Sequence, residues 1–166
     1  MVEKPFYAEG LRFTCTRCSD CCCHESGYVF LTEEDASMLV SMLRMRYTDF
    51  LDTYCRWIPL AWGIEQLALR EKSNYDCIFW KQGCSVYEQR PRQCRAFPFW
   101  HSVVASVEAW TAAARTCPGM GSGVLHSNDE ITSWLAREDA ETVICKKSSA
   151  ELSLSTKTKA PQPGEW

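Results

Sequence analysis

Residues 15–23 read CTRCSDCCC, so Cys15, Cys18 and Cys21 fall three apart and Cys22 follows at once. A C-x2-C-x2-C run lets one wrapped loop turn three thiolates towards a single compact centre, with a fourth arriving from farther along the chain, as in ferredoxin-type loops. Zinc sites more often use two C-x2-C knuckles separated by a wide gap. The spacing therefore points to an iron–sulfur cluster, most simply [4Fe-4S]. Zinc (Zn2+) is the alternative, because it too accepts four thiolates from such a loop and its surroundings. Cysteine makes up 11 of the 166 residues, against three histidines. Free thiols persist at that density in a reducing compartment only where something uses them. A disulfide framework would need an oxidising compartment, and eleven is an odd number.

Four cysteines stand ready as remote ligands. Cys77 and Cys84 lie at either end of a predicted hairpin turn, Cys94 follows Arg90-Pro91, and Cys117 precedes Pro118, as the last cysteine of a ferredoxin-type run does. With Cys15, Cys18, Cys21 and Cys22 they make eight, enough for one or two four-cysteine centres. Cys23, Cys55 and Cys145 remain. Cys55 reads as a small apolar filler between Tyr54 and Trp57, Cys145 as a thiol with no metal beside a basic tail, and Cys23 as a residue that could exchange with Cys22.

The rest of the chain limits the class of molecule. With Lys plus Arg at 18 and Asp plus Glu at 21, the net charge is −3. That balance argues against nucleic-acid binding through bulk positive charge. No run approaches the length of a membrane span, and no apolar core marks a secretory signal near the start, so a cytoplasmic protein is expected. The apolar spacing of Leu39, Met42 and Leu43 behind Thr32 predicts a helix over 33–46. A second helix is expected from Thr48, carrying Phe50, Tyr54 and Trp57 and ending before Pro59. Residues 28–31 suggest a short strand, and Ile78–Trp80 with Ser85–Tyr87 a hairpin around Lys81-Gln82-Gly83. A helical turn should follow Pro91 to about Ala96. Val103 to Ala114 suits helix or strand, and 117–123 reads as a loop. Another helix is expected over 129–141, capped by Ser127 or Asn128. The expected whole is an irregular, metal-stabilised α+β domain over 1–145, with two or three helices, an antiparallel hairpin sheet and long cysteine-bearing loops. A flexible tail is expected over 146–166.

A thiolate-bound cluster keeps negative charge, so cations and amide donors are expected around it. Arg17, Arg90, Arg92 and Arg95 lie beside candidate ligands. Arg90 or Arg95 would offset the cluster charge, although Arg90 could instead pair with Glu88 or Glu71. Gly119, Gly121 and Gly123 would let backbone amides approach sulfur. Phe97-Pro98-Phe99-Trp100 could shield the centre, or simply be core. His24 could be a ligand or a hydrogen-bond donor to one, whereas His101 and His126 read as polar surface groups.

These motifs resemble a known family. F-x-C-x2-C-x2-C-C runs from Phe13 to Cys22, followed by Gly27, Val29 and Leu31-Thr32-x-x-Asp35. A second block, C-x-F-x3-G-C-x-V-Y-E-x-R-P-x-x-C-R-x-F-P-F, spans Cys77 to Phe99, and C-P-G-x-G-x-G spans Cys117 to Gly123. The pattern is similar to that of the YkgJ-like cysteine-cluster proteins, described as zinc- or iron-chelating domains. It covers roughly residues 13–140 and implies a metal role for the same eight cysteines. Cys23 stands where other members commonly carry a basic or polar residue. Flagellin lysine methylases carry a similar cysteine pattern and are associated with a [4Fe-4S] centre, but are much longer chains. Two functions follow as expectations: a non-catalytic iron–sulfur or zinc protein with a structural, electron-transfer or redox-sensing role, or a cluster-dependent, methyltransferase-like enzyme. No Ser–His–Asp or paired-carboxylate arrangement stands out.

Overall fold

The acidic run after Thr32 starts the first helix, α1 (Glu33–Leu43), as the sequence predicts. The Thr32 hydroxyl accepts from the Asp35 N–H at 3.1 Å, and the Asp35 carboxylate accepts from the Thr32 N–H at 3.2 Å. This reciprocal cap satisfies donors that the first helical turn leaves open. Arg44, in the left-handed region at φ 52, ends the helix. The computed structural model describes residues 4–18, 20–22, 27–140 and 142–148. Within them lie five α-helices and two small antiparallel sheets, an α+β arrangement with more helices than expected. No helix among the described residues is long and apolar enough to cross a membrane.

The second helix, α2 (Tyr47–Tyr54), is preceded by Arg46 rather than Thr48, and the Arg46 guanidinium grips Asp49 at 2.9 and 2.8 Å. It stops short of Pro59. Residues Cys55–Pro59 form a strand, β2, which pairs with β3 (Ile64–Leu69) from Cys55↔Leu69 to Pro59↔Glu65. Trp57 and Ile58 favour a pleated, half-buried ladder over another helical turn. Among the described residues the hairpin therefore falls at 55–69. Around Lys81–Gly83 there is only a tight turn, with a single Trp80↔Cys84 bridge and positive φ at Gln82 and Gly83. The expected strand at 28–31 survives as partial pairing: Leu31 N–H donates to Leu67 O at 3.0 Å, and Leu69 N–H to Val29 O at 2.9 Å. A third strand, β5 (Cys145–Lys147), lies along β3. The expected tail boundary at 146 thus falls inside a strand, and the remainder from 149 lies outside the described residues.

This sheet and α1 enclose a core built on Leu31, Leu39, Phe50, Leu67, Phe79 and Val86. A second core of Phe99, Val104, Ile131 and Leu135 sits under two further helices. The ambiguous stretch after Val103 resolves as α4 (Val107–Ala114), capped by Ser106, whose hydroxyl accepts from the Ala109 N–H. The last helix, α5 (Asn128–Asp139), begins at a Ser127/Glu130 reciprocal cap. The short α3 (Arg92–Ala96) follows Pro91 and carries Cys94.

One expectation is overturned outright. The stretch read as a loop over 117–123 enters a strand at Met120: β4 (Met120–His126) pairs with β1 (Leu11–Phe13). Val124, Leu125 and His126 supply strand-forming character. Gly121 and Gly123, at φ 77 and 78, accommodate a register shift that the glycine spacing alone disguises as a turn.

Candidate metal centre

The cysteine loop leaves β1 tethered at both ends. At its start, Thr14 N–H donates to Gly119 O at 3.2 Å, two residues beyond Cys117. The approach is so close that a Cβ on Gly119 would strike the Thr14 carbonyl. At its far end, a single 3-10 turn (Asp20–Cys22) presents the Cys22 carbonyl to the Cys77 N–H at 2.8 Å. One short segment thereby reaches both of the remote cysteine regions. Gly119→Ala is expected to cost about 1–3 kcal/mol by overpacking this contact, read as a lower urea midpoint at unchanged slope. An unshifted midpoint would mean that the tether contributes nothing.

Five thiols form the first group. Cys21, Cys22, Cys77 and Cys94 line a cavity of about 210 Å³, with Phe97 and Trp100 among its walls. Cys84 adjoins it through Cys22, whose thiol hydrogen-bonds both Cys21 and Cys84. Because Cys22 is the donor, its own thiol is pushed up and holds its proton. The two acceptors move the other way. The bond from Cys22, aided by the nearby Arg90 charge, lowers Cys84 to about 6 and Cys21 to about 7. Burial raises Cys77. Burial also raises Cys94, reinforced by Cys77, Cys21 and Cys84. Thiolates, not thiols, bind metal, so this group combines sulfurs already inclined to ionise with buried ones that would lose their protons on ligation.

Arg90 faces this group and not the carboxylates weighed against it. Glu71 pairs with Arg56 at 2.6 Å, and Glu88 with Arg17 at 3.3 Å. Both Arg90 and Arg17 lie over the Tyr87 ring, at 3.7 and 4.0 Å from its centroid. Such cation–π contacts hold a guanidinium in place without neutralising it.

Cys15, Cys18 and Cys117 lie outside the lining of that cavity. The Cys117 thiol accepts from the Gly119 and Met120 N–H groups and feels the charges of Cys18 and Cys15. The Tyr87 hydroxyl hydrogen-bonds Cys15, which raises Tyr87. Tyr87 is the residue that reasoning from cysteine spacing missed; its position inside the V-Y-E-x-R-P run between Cys84 and Cys94 was the available signal. Gly119 does bring an amide to sulfur. Gly121 is exposed in β4 with open space around its Cα, and Arg95 is exposed at the last turn of α3.

The remaining candidates lie apart. Cys55 is buried in β2, and that burial raises its thiol to about 12. The exposed Cys145 thiol donates to Val143 O at 3.2 Å. His101 contacts Asp139 at 2.9 Å, and His126 contacts the Phe13 carbonyl at 3.1 Å. Cys23 and His24 lie outside the described residues. All ten described cysteines are free thiols. Among the described residues no three His, Cys, Asp or Glu side chains form a group that could hold an ion as they stand. The donor set nonetheless fits a thiophilic metal: sulfurs from three separated stretches meet in hydrogen bonds and around one cavity, and Glu71, the carboxylate in the same lining, is taken by Arg56 and the Gly27 N–H.

No solved structure matches this chain. Comparison with known families matches residues 14–118, well over half of it, to CxxCxxCC, by its description a zinc- or iron-chelating domain. The matched span runs from the residue before Cys15 to the residue after Cys117, which is the stretch that carries all eight candidate cysteines. The chain belongs to the CxxCxxCC family of metal-chelating domains.

Proposed function

We propose that this chain holds a [4Fe-4S] cluster on thiolates drawn from Cys21, Cys22, Cys77, Cys84 and Cys94, in a structural, electron-transfer or redox-sensing role. The observation that carries the proposal is the cavity of about 210 Å³ lined by four of these cysteines, with the fifth hydrogen-bonded at its edge. When bound, such a cluster supplies one-electron chemistry at a potential set by its charge, hydrogen bonds and exposure to solvent. The protein's part is to adjust those conditions. Arg90 opposes the negative charge of the thiolates, while Phe97 and Trp100 limit the access of water. A reducing compartment such as the cytoplasm suits cysteines that, among the described residues, are all free thiols.

The test is anaerobic purification with iron, zinc and acid-labile sulfide counted per chain. Broad absorption near about 400 nm that bleaches with dithionite is the expected result. Colourless protein with stoichiometric zinc would replace the cluster with a closed zinc site on the same thiolates.

A further inference from the structure

We propose that the cleft between α3 and α5 binds a small aromatic carboxylate, a flat apolar body carrying one negative charge. The inference goes beyond the metal-binding reading and does not need it, because no cysteine is in the lining of this cleft.

The cleft has a volume of about 340 Å³, within the range of about 300–1,000 Å³ typical of small-molecule pockets. Its lining comes from three places. Phe30 lies beside β3, Arg92, Gln93 and Trp100 lie on or just after α3, and Trp134 and Arg137 stand on α5. Three aromatic side chains give a flat ring faces and edges to pack against.

One wall is set before any ligand arrives. Gln93 uses both ends of its amide: Oε1 accepts from the Phe30 N–H at 2.9 Å, and Nε2 donates to the Tyr28 carbonyl at 2.8 Å. Trp100 Nε1 donates to the Gln93 carbonyl at 2.9 Å. A wall fixed in this way loses little freedom on binding. Gln93 and Trp100 line the thiol cavity as well, which puts the proposed ligand next to the cysteines and not among them.

The polar groups select the charge. Arg92 and Arg137 bring guanidiniums from two helices to one cleft. Arg137 lies 5.3 Å from the centroid of the Trp134 ring, a contact that orients a guanidinium and leaves its charge in place. Arg92 is steadied at 2.9 Å by the exposed Glu34, which reaches it from outside the lining. Glu138 shares the lining, and its Oε2 accepts from the His101 N–H at 3.0 Å. Two guanidiniums against one carboxylate leave a single positive charge in the lining. A carboxylate balances that charge and suits the guanidinium fork, whereas a phosphate monoester, at about −1.5 to −2, exceeds it.

The experiment uses the full chain, purified anaerobically and checked by circular dichroism, with 2-naphthoate as the calorimetric probe. 2-Naphthamide keeps the ring and removes the charge, and 2-naphthyl phosphate keeps the ring and raises the charge. Naphthoate should bind about tenfold more tightly than the amide, and more tightly than the phosphate. Arg137→Gln, at an exposed position of α5, should weaken naphthoate about tenfold and the amide little, with metal content unchanged. Arg115→Gln, at the exposed end of α4 and outside the lining, should bind as wild type does. A folded chain that ignores naphthoate overturns the site, as does equal binding of naphthoate and naphthamide. Undiminished binding by Arg137→Gln overturns it too, because the carboxylate would then sit on a metal or elsewhere. Tighter binding of the phosphate overturns the assignment of a monoanion. Iron and zinc counted on the same samples keep the two readings apart. Naphthoate bound by a chain without metal fails the proposed function alone, and a metal-loaded chain that ignores naphthoate fails the cleft alone.

Discussion

Cys94→Ser is expected to abolish incorporation of the metal centre and to lower the melting temperature sharply. Cys94 projects from α3 among Cys77, Cys21 and Cys84, at the meeting point of the first thiol group. Serine nearly matches it in size but offers a far poorer ligand for a thiophilic ion. In small metallo-domains, ligation supplies folding free energy directly, about 10–16 kcal/mol for structural zinc in finger peptides. A whole domain is stable by only about 5–15 kcal/mol. Losing half of the ligation energy, about 5–8 kcal/mol, would therefore match the lower part of that range. Metal per chain and a thermal melt on the same sample make the measurement, with Cys145→Ser as the control because that thiol is exposed and turned to Val143. Equal metal content and equal melting in the two variants would remove Cys94 from the centre.

How far the sequence disclosed this arrangement depended on the range of the interaction involved. The α1 cap was legible because Thr32 and Asp35 sit three residues apart and satisfy each other locally. The same holds for Ser127 and Glu130. Elements decided by distant partners were not. Cys55 to Pro59 continues a helical spacing on paper, yet it becomes a strand because β3 offers it a complete ladder. Gly121 and Gly123 look like turn residues, and only their pairing with Leu11–Phe13 makes them part of a strand.

The candidate site divides along similar lines. The eight cysteines stand out in the sequence by count and spacing, and the match over residues 14–118 covers all of them. Their contacts do not. The C-x2-C-x2-C run suggests three thiolates on one centre; in the structure Cys21 hydrogen-bonds Cys22, and the charges of Cys18 and Cys15 act on Cys117. The backbone bonds at Thr14 and Cys22 join residues about a hundred and about fifty positions apart, a range that local spacing does not report. Of the carboxylates that Arg90 could have met, Glu71 pairs with Arg56 and Glu88 with Arg17, while Arg90 Nε donates to the Tyr87 carbonyl at 2.9 Å.

Asp35 joins the part of the fold that the sequence disclosed to the part it did not, and it yields the second large effect. Its side chain is 1% exposed and is fully used. One carboxylate oxygen accepts from the Thr32 N–H at 3.2 Å and the Thr32 hydroxyl at 2.9 Å, and the other accepts from the Arg92 N–H at 2.8 Å. The same group that caps α1 therefore holds the first residue of α3, two positions before Cys94. Asp35→Ala would strand these buried donors, each at about 1–3 kcal/mol, and remove a helix cap worth about 1 kcal/mol. Because the donors share one carboxylate, the costs will not add fully, and about 3–5 kcal/mol is expected in urea unfolding. Since α3 loses its anchor, metal content should fall as well. Asp35→Asn keeps an acceptor for Arg92 but turns an amide towards two donors, so it should lie between alanine and wild type. Glu34→Ala is the matched control: its 2.9 Å pair with the Arg92 guanidinium involves a largely exposed carboxylate, and such pairs contribute about 0–1 kcal/mol. If Asp35→Ala and Glu34→Ala unfold at the same midpoint and carry the same metal, the carboxylate does not position α3, and the cysteine on that helix is held by ligation alone.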